Sequence, residues 1–277
     1  MNHSRLRGLI KPMIQDGPLI KLKRWYHNDS IEEPFSIVNP IMLPVLNDSQ
    51  YSWINKNASC QILGPGMILL KNYISLLGQV NIVNACQYLG MGPGGFYVPN
   101  NRYGHDLRLH MMSLGRNWDP ATGYEKPCRS DGSKPPPLPN QLVHLAKAVV
   151  EEAQAHLDDD DELPSMCPDV CVVNFYDMRS RLGLHQDCDE SSDSLTRGLP
   201  VVSISIGANA EFWYGHTRDE NKLDKVILES GDALIFGGKS RLIFHGVRKL
   251  NSSWSTTFVH EAFHLTPGRL SLTFRQF

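Results

Sequence analysis

His185 and Asp187 flank a single glutamine in His185-Gln186-Asp187. In extended backbone, residues two apart point to the same face, so an imidazole and a carboxylate converge on one point. A second histidine, His245, stands at the end of the β-rich run Ser240–Phe244, just before Gly246. Two histidines and one carboxylate occupy one face of an octahedron and leave three positions open, the arrangement of non-haem Fe(II) oxygenases. Each part alone is unspecific. An HxD triplet arises by chance in many proteins, and a lone histidine at a strand end is more often a hydrogen-bonded structural residue.

A third feature changes the weight of the first two. Arg269, Ser271, Thr273 and Arg275 alternate with Leu270, Leu272 and Phe274, which puts both arginines and both hydroxyls on one face of a strand. Two cations inside a β core are costly unless an anion meets them. A dicarboxylate co-substrate would do so, with bidentate guanidinium pairing as the natural geometry. A solvent-facing strand would permit the same alternation. Asn174 and Tyr176 share a face one strand upstream of the HxD triplet and offer an amide and a phenol to the same carboxylates; a structural Asn and a core Tyr are the plainer alternative.

These residues need strands to carry them, and the second half of the chain supplies them. After Pro164, short β-rich runs alternate with turn residues: Val170–Tyr176, Pro200–Ile206, Glu211–Tyr214, Lys225–Leu228, Ala233–Phe236, Ser240–Phe244, Thr256–Phe263 and Arg269–Phe274. Many short strands with Gly, Asp and Ser between them indicate a sandwich or jelly roll. Upstream, Met67–Leu70 after the Gly64-Pro65-Gly66 turn reads as a short buried strand. Leu76, Val80, Val83, Cys86 and Leu89 recur every three or four positions, one face of a helix capped by Ser75 and stopped by Gly90. A second helix is expected from Gln141 to Leu157, followed by an acidic linker, Asp158 to Glu162. Between the helices, residues 92–139 are rich in Gly, Pro and Asn and carry Tyr97, Arg102, Tyr103, Arg108, His110, Arg116, Trp118 and Tyr124. A loop-rich stretch of this length suits a binding surface as well as a surface loop anchored by its aromatics. The expected class is α+β, mainly β. Its parts are an extension (1–60), helical support and a recognition lid (61–163), and the β core (164–277).

Bulk properties exclude little. The 277 residues are 41% hydrophobic and 20% charged with a formal net charge of −2, so no strongly basic surface is implied overall, although a local patch would still bind phosphates. The six cysteines form no CxxC pair, as expected of reduced intracellular thiols; Cys167 and Cys171 are at most a weak metal pair. No apolar run reaches the ~20 residues needed to cross a bilayer, so a membrane protein is not expected. Arg5, Arg7 and Lys11 precede the first acidic residue, Asp16, which suits an organelle transit signal or a basic tail. Nucleus, cytoplasm and organelle all stay open, and a monomer is expected.

Taken together, the motifs resemble the AlkB family of Fe(II)/2-oxoglutarate-dependent nucleic-acid dealkylases. The resemblance runs through Asn174-Phe175-Tyr176, Leu184 to Glu190, Val202 to Gly207 and Gly231-Asp232, then Gly237 to Gly246 and Arg269 to Gln276. The order and spacing match over about the last hundred residues. Leu114 to Pro120 resembles, more weakly, the lid ahead of the core in the branch closest to the bacterial founder.

The resemblance implies a double-stranded β-helix with iron on His185, Asp187 and His245, which would be the catalytic centre. It implies 2-oxoglutarate held by Asn174, Tyr176, Arg269, Ser271 and Arg275, with O2 as the second co-substrate. It places Asp189 near the methylated base, and offers Glu190 and Arg218 as weaker substrate contacts; Trp118 in the lid is a candidate to stack on the base, with anchoring to the core as the plainer alternative. Tyr124 is a further stacking candidate, because a base must leave its stack to reach the metal. The expected reaction is oxidative demethylation of methylated DNA or RNA, methyladenine foremost, with succinate, CO2 and formaldehyde released. Asp189 suits a cationic methylated adenine or an exocyclic amine donor. One departure stands out: where the family has Asn, this chain has Ser271. Two other functions stay open, an Fe(II)/2-oxoglutarate hydroxylase of a protein or small molecule and a non-catalytic nucleic-acid-binding module.

Overall fold

The computed structural model describes residues 33–35, 53–101, 103–157, 163–251 and 266–277. Most of the expected extension 1–60, the acidic linker Asp158 to Glu162, the expected strand Thr256–Phe263 and Arg102 lie outside the described residues.

Among the described residues, eleven strands form two antiparallel sheets. The larger orders as β1 (Ser59–Gly64), β2 (Met67–Lys71), β9 (Ala233–Phe236), β6 (Val201–Gly207), β11 (Gly268–Arg275), β4 (Val170–Asp177) and β3 (His110–Leu114). The smaller orders as β5 (Leu182–His185), β10 (Phe244–Asn251), β7 (Asn209–Gly215) and β8 (Asp224–Leu228). This is the β-rich jelly-roll architecture expected. Strands from the upstream segment (β1, β2, β3) hydrogen-bond in the same sheet as the downstream core, so the sheet runs unbroken across residue 164.

Alternation along the central strands divides the larger sheet into two faces. One face carries Val173 and Phe175, Val202, Ile204 and Ile206, and Leu270, Leu272 and Phe274. It is covered by α1 (Leu76–Gly90) and α2 (Asn140–Gln154), whose Ile82, Val83, Cys86, Leu142, Leu145 and Val149 join the same buried cluster. The other face turns toward the smaller sheet: Val172, Tyr176, Leu234 and Phe236 pack with Ala210, Phe212, Tyr214 and Val247. The polar residues that interrupt this second face, Asn174, Ser203, Ser271 and Arg269, lie between the sheets and not toward solvent. β6 and β11 are central strands, nearly every residue of which is buried.

Local chemistry explains the boundaries. Ser75 caps α1 by accepting from the Gly78 amide at 3.1 Å, and the helix ends at Gly90, the expected stop, with Met91 as its C-cap. α2 starts behind Pro139 and closes at Gln154, three residues short of the expected Leu157. The expected strand Ser240–Phe244 needs a correction. Gly238–Ser240 is a 3-10 turn, and the strand runs from Phe244 to Asn251. The apolar pair Leu242-Ile243 looked like strand, but Ser240 Oγ donates to the Pro65 carbonyl at 2.7 Å and holds the turn against the β1–β2 hairpin.

Candidate active site

His185 ends β5 and His245 is the second residue of β10; the two are directly paired across the antiparallel ladder. Their rings lie 4.3 Å apart between centroids. Asp187 lies two residues beyond the end of β5. Its Oδ1 is 3.7 Å from His185 Nε2 and its Oδ2 is 3.9 Å from His245 Nε2. One ligand atom from each residue lies within 4.8 Å of the others, which suits one shared ion. Each imidazole gives its Nδ1 to a carbonyl two residues upstream, His185 to Gly183 at 2.9 Å and His245 to Ile243 at 3.1 Å. That leaves both Nε2 lone pairs turned inward, the orientation a metal needs.

The electrostatics are those of a cation site. Burial alone would raise the Asp187 carboxyl, but Arg275, the two histidines and Arg241 hold it well below the usual carboxylate range. Burial, reinforced by His185, pushes His245 down to about 4, so it is neutral and able to ligate. Asp187 Oδ2 is buried with no hydrogen-bond partner among the described residues. An orphaned carboxylate oxygen facing two imidazole lone pairs fits a divalent metal.

Beside this cluster a narrow pocket of about 50 Å³ runs between the sheets, lined by Asn174, Tyr176, Ser203, Ser271, Thr273 and Arg269 as well as by His185, Asp187 and His245. Arg269 is only 1% exposed, and its Nε and Nη1 have no hydrogen-bond partner among the described residues. Burial lowers its pKa to about 10, with the Tyr176 phenol and Asp232 acting the other way. A guanidinium hidden from water with unused donors calls for an anion. Tyr176 stands opposite Arg269 across β4 and β11, and Asn174 stands opposite Ser271. Burial pushes the Tyr176 phenol up to about 12, which keeps it a hydrogen-bond donor; Asn174 bonds to it. Ser271 Oγ lies 3.3 Å from Ser203 Oγ, so two short hydroxyl side chains line this part of the pocket together.

A wider recess of about 430 Å³ opens outside the metal cluster and shares Asn174, His185, Asp187 and Arg275 with the inner pocket. Its outer wall includes Asn101, Tyr103, Trp118, Pro120, Cys188 and Asp189. The lid begins at Gly115, whose positive φ (+80°) no side chain would tolerate there, since a Cβ would lie 2.3 Å from the Asp169 carbonyl. Ser113 Oγ then donates to the Trp118 carbonyl at 3.0 Å and accepts from its amide at 3.3 Å. Trp118 Nε1 donates to Asp189 Oδ2 at 2.9 Å.

The thirteen residues named from sequence divide into groups. His185, Asp187 and His245 meet at one point; Asn174, Tyr176, Arg269 and Ser271 line the inner pocket; Trp118 and Asp189 touch each other in the outer recess. Arg275 borders both spaces and pairs with Asp187 Oδ1 at 2.8 Å. Glu190 is tied between Arg241 and Arg275, and Tyr124 reaches inward to Glu190 at 3.3 Å while its ring packs on Phe277 at 4.9 Å. Tyr124 therefore anchors the lid to the core. Arg218 lines neither space; its guanidinium lies 5.0 Å from the Phe244 ring. Sequence reading missed Arg241, which is 3% exposed, and Ser203 as a partner of Ser271. The serines that interrupt the apolar run Val201–Ile206 were a usable signal for Ser203; Arg241, in an irregular turn, offered none.

Comparison with known proteins agrees with this geometry. The family described as the 2OG-Fe(II) oxygenase superfamily matches residues 66–275. An Arabidopsis thaliana protein named DNA N(6)-methyladenine demethylase ALKBH1C is 49% identical over 230 residues, covering 80% of this chain and 50% of that protein. The alpha-ketoglutarate-dependent dioxygenase AlkB of Escherichia coli (strain K12) is 35% identical over 177 residues, covering 62% of this chain and 73% of that one. A solved structure of OsALKBH1 superposes with a TM-score of 0.73 at 47% identity, over 79% of this chain and 100% of the other. The chain spans about half the length of the Arabidopsis relative.

Proposed function

Because this chain belongs to the AlkB family of the 2OG-Fe(II) oxygenase superfamily, we propose that it removes N-methyl groups from nucleic-acid bases, methyladenine foremost, at the expense of 2-oxoglutarate. The observation that carries the reading is Arg269, a buried guanidinium with unused donors, in the pocket that adjoins the His185–Asp187–His245 cluster. Fe(II), 2-oxoglutarate and O2 would together supply the oxidation of the methyl carbon, with succinate, CO2 and formaldehyde as products.

The protein's own residues supply position and exclusion. His185, Asp187 and His245 would hold the metal from one side and leave the rest of its sphere to co-substrate. Arg269 would pair with the far carboxylate of the diacid while the Tyr176 phenol donates to it. The apolar walls, Phe212, Phe236 and Val247, would limit water beside the bound co-substrate. In the outer recess Asp189 would accept from an exocyclic amine or face a cationic methylated ring, with Trp118 as the aromatic wall.

Support for a nucleic-acid base as substrate comes from that recess and from the named activities of the relatives. Methylated DNA and RNA oligonucleotides, incubated with Fe(II), ascorbate and 2-oxoglutarate and digested for mass spectrometry, test it. Loss of a methyl mark with matching succinate is expected. Succinate formed without loss of any mark would instead favour a hydroxylase of a protein or small molecule, and absence of both would favour a binding module.

A further inference from the structure

Glu190 borders the outer recess, yet its carboxylate is only 1% exposed and both of its oxygens are engaged. Oε2 accepts from Arg241 Nη2 at 2.7 Å. Oε1 lies 3.4 Å from Arg275 Nε and accepts from the Tyr124 hydroxyl at 3.3 Å. The two arginines it joins converge on a single residue, Asp187. Arg275 Nη2 holds the side chain at Oδ1, 2.8 Å away, and Arg241 Nη1 donates to the main-chain carbonyl. Asp187 carboxylate, Arg275, Glu190, Arg241 and Asp187 carbonyl thus form a closed loop.

The loop has two physical consequences. A carboxylate gripped only at Oδ1 keeps its main chain free to tilt. Gripped at the carbonyl as well, it presents Oδ2 to the histidines in one orientation. The charges also balance, with two carboxylates against two guanidiniums. Without the Glu190 charge, the loop would carry a net positive charge beside the place of a divalent cation, and Arg275 would turn wholly to Asp187 and compete with the metal for it.

We propose that Glu190, acting through Arg241 and Arg275, is a positioning residue that orients Asp187 and sets the affinity of the metal site. The proposal rests on the reading of His185, Asp187 and His245 as metal ligands. Tyr124 extends the loop into the lid, so the segment that carries Trp118 is tied to the metal carboxylate through one shared anion.

The test is Mn(II) titration followed by electron paramagnetic resonance, without co-substrate or nucleic acid, on wild-type protein, Glu190→Gln and Arg241→Lys. In Glu190→Gln, folded by circular dichroism, the Mn(II) dissociation constant should rise by about 10- to 100-fold, the range for groups that hold a metal ligand in place. Methylated-oligonucleotide affinity, measured by anisotropy in chelator, should stay within about twofold of wild type. Arg241→Lys keeps the charge but cannot span the carbonyl and Glu190 together, and decides the matter if Glu190→Gln does not fold. Its Mn(II) binding should weaken about 10-fold. A Mn(II) constant within about threefold of wild type in the folded variant overturns the proposal, and a loss of oligonucleotide affinity alongside it would make Glu190 a substrate contact. Wild-type protein that binds no Mn(II) would instead remove the metal-site reading itself.

Discussion

His185 and His245 are direct cross-strand partners, and each fixes its ring by the same device, an Nδ1 hydrogen bond to the carbonyl two residues before it. The pairing sets the separation of the two Nε2 atoms through the ladder spacing, and the two bonds set their direction. His185→Ala should therefore abolish metal binding outright. Activity should fall by more than about 100-fold, beyond the loss typical of outer partners. Differential scanning fluorimetry should show a Mn(II)-dependent rise in Tm for the wild type and none for the variant.

Arg269 combines near-complete burial with unused donors, so it costs stability until an anion arrives. Arg269→Met should raise the stability of the protein without co-substrate by about 1–4 kcal/mol, as replacing buried charge with apolar volume often does. The wild type with Mn(II) should gain about 2.7 kcal/mol from 2-oxoglutarate at a hundred times its Kd, and the variant nothing. Urea unfolding with and without the diacid measures both.

Asp177 closes the turn that launches β5 toward His185. Its Oδ1 accepts from the Arg179 amide and the Ser180 hydroxyl, both at 2.8 Å. Burial opposes ionisation, but these bonds from Ser180 and Arg179 lower its pKa below the ordinary value. A carboxyl depressed on folding stabilises the fold fully above its unfolded pKa of about 3.9 and loses that effect as pH falls through the folded value. Asp177→Asn should cost about 1–2 kcal/mol at pH 7. The difference from wild type should shrink as unfolding is repeated at successively lower pH below about 4.

Trp118 and Asp189 join the lid to the segment that carries the metal carboxylate. Trp118→Phe keeps the aromatic wall and removes the indole N–H that reaches Asp189. This partly exposed bond should be worth about 1 kcal/mol, or roughly fivefold. KM for a methylated oligonucleotide should rise by that factor, with kcat changed by less than about twofold. A steady-state series on one substrate separates the two.

Much of the fold was legible because its signals are short-range. Period-two alternation from Arg269 to Arg275 and from Asn174 to Tyr176 assigned faces that the two packed sheets bear out. Ser75 and the three-to-four spacing after it located the first helix to within a residue. Strand boundaries failed where a distant contact overrode local preference. Ser240 turns because it bonds to Pro65, 175 positions away along the chain, and no window around Ser240 contains that partner.

The sequence by itself determined which side chains share a face, since backbone geometry alone converts spacing into direction: His185 with Asp187, and Arg269 with Ser271 and Arg275. Only the tertiary structure decided what each face meets. It set His245 opposite His185, enclosed Arg269 between two sheets, and turned Glu190 from the recess toward Arg241 and Arg275. The reason is that burial and ion pairing depend on residues far apart in the chain, and their partners come within reach only when the strands close into sheets.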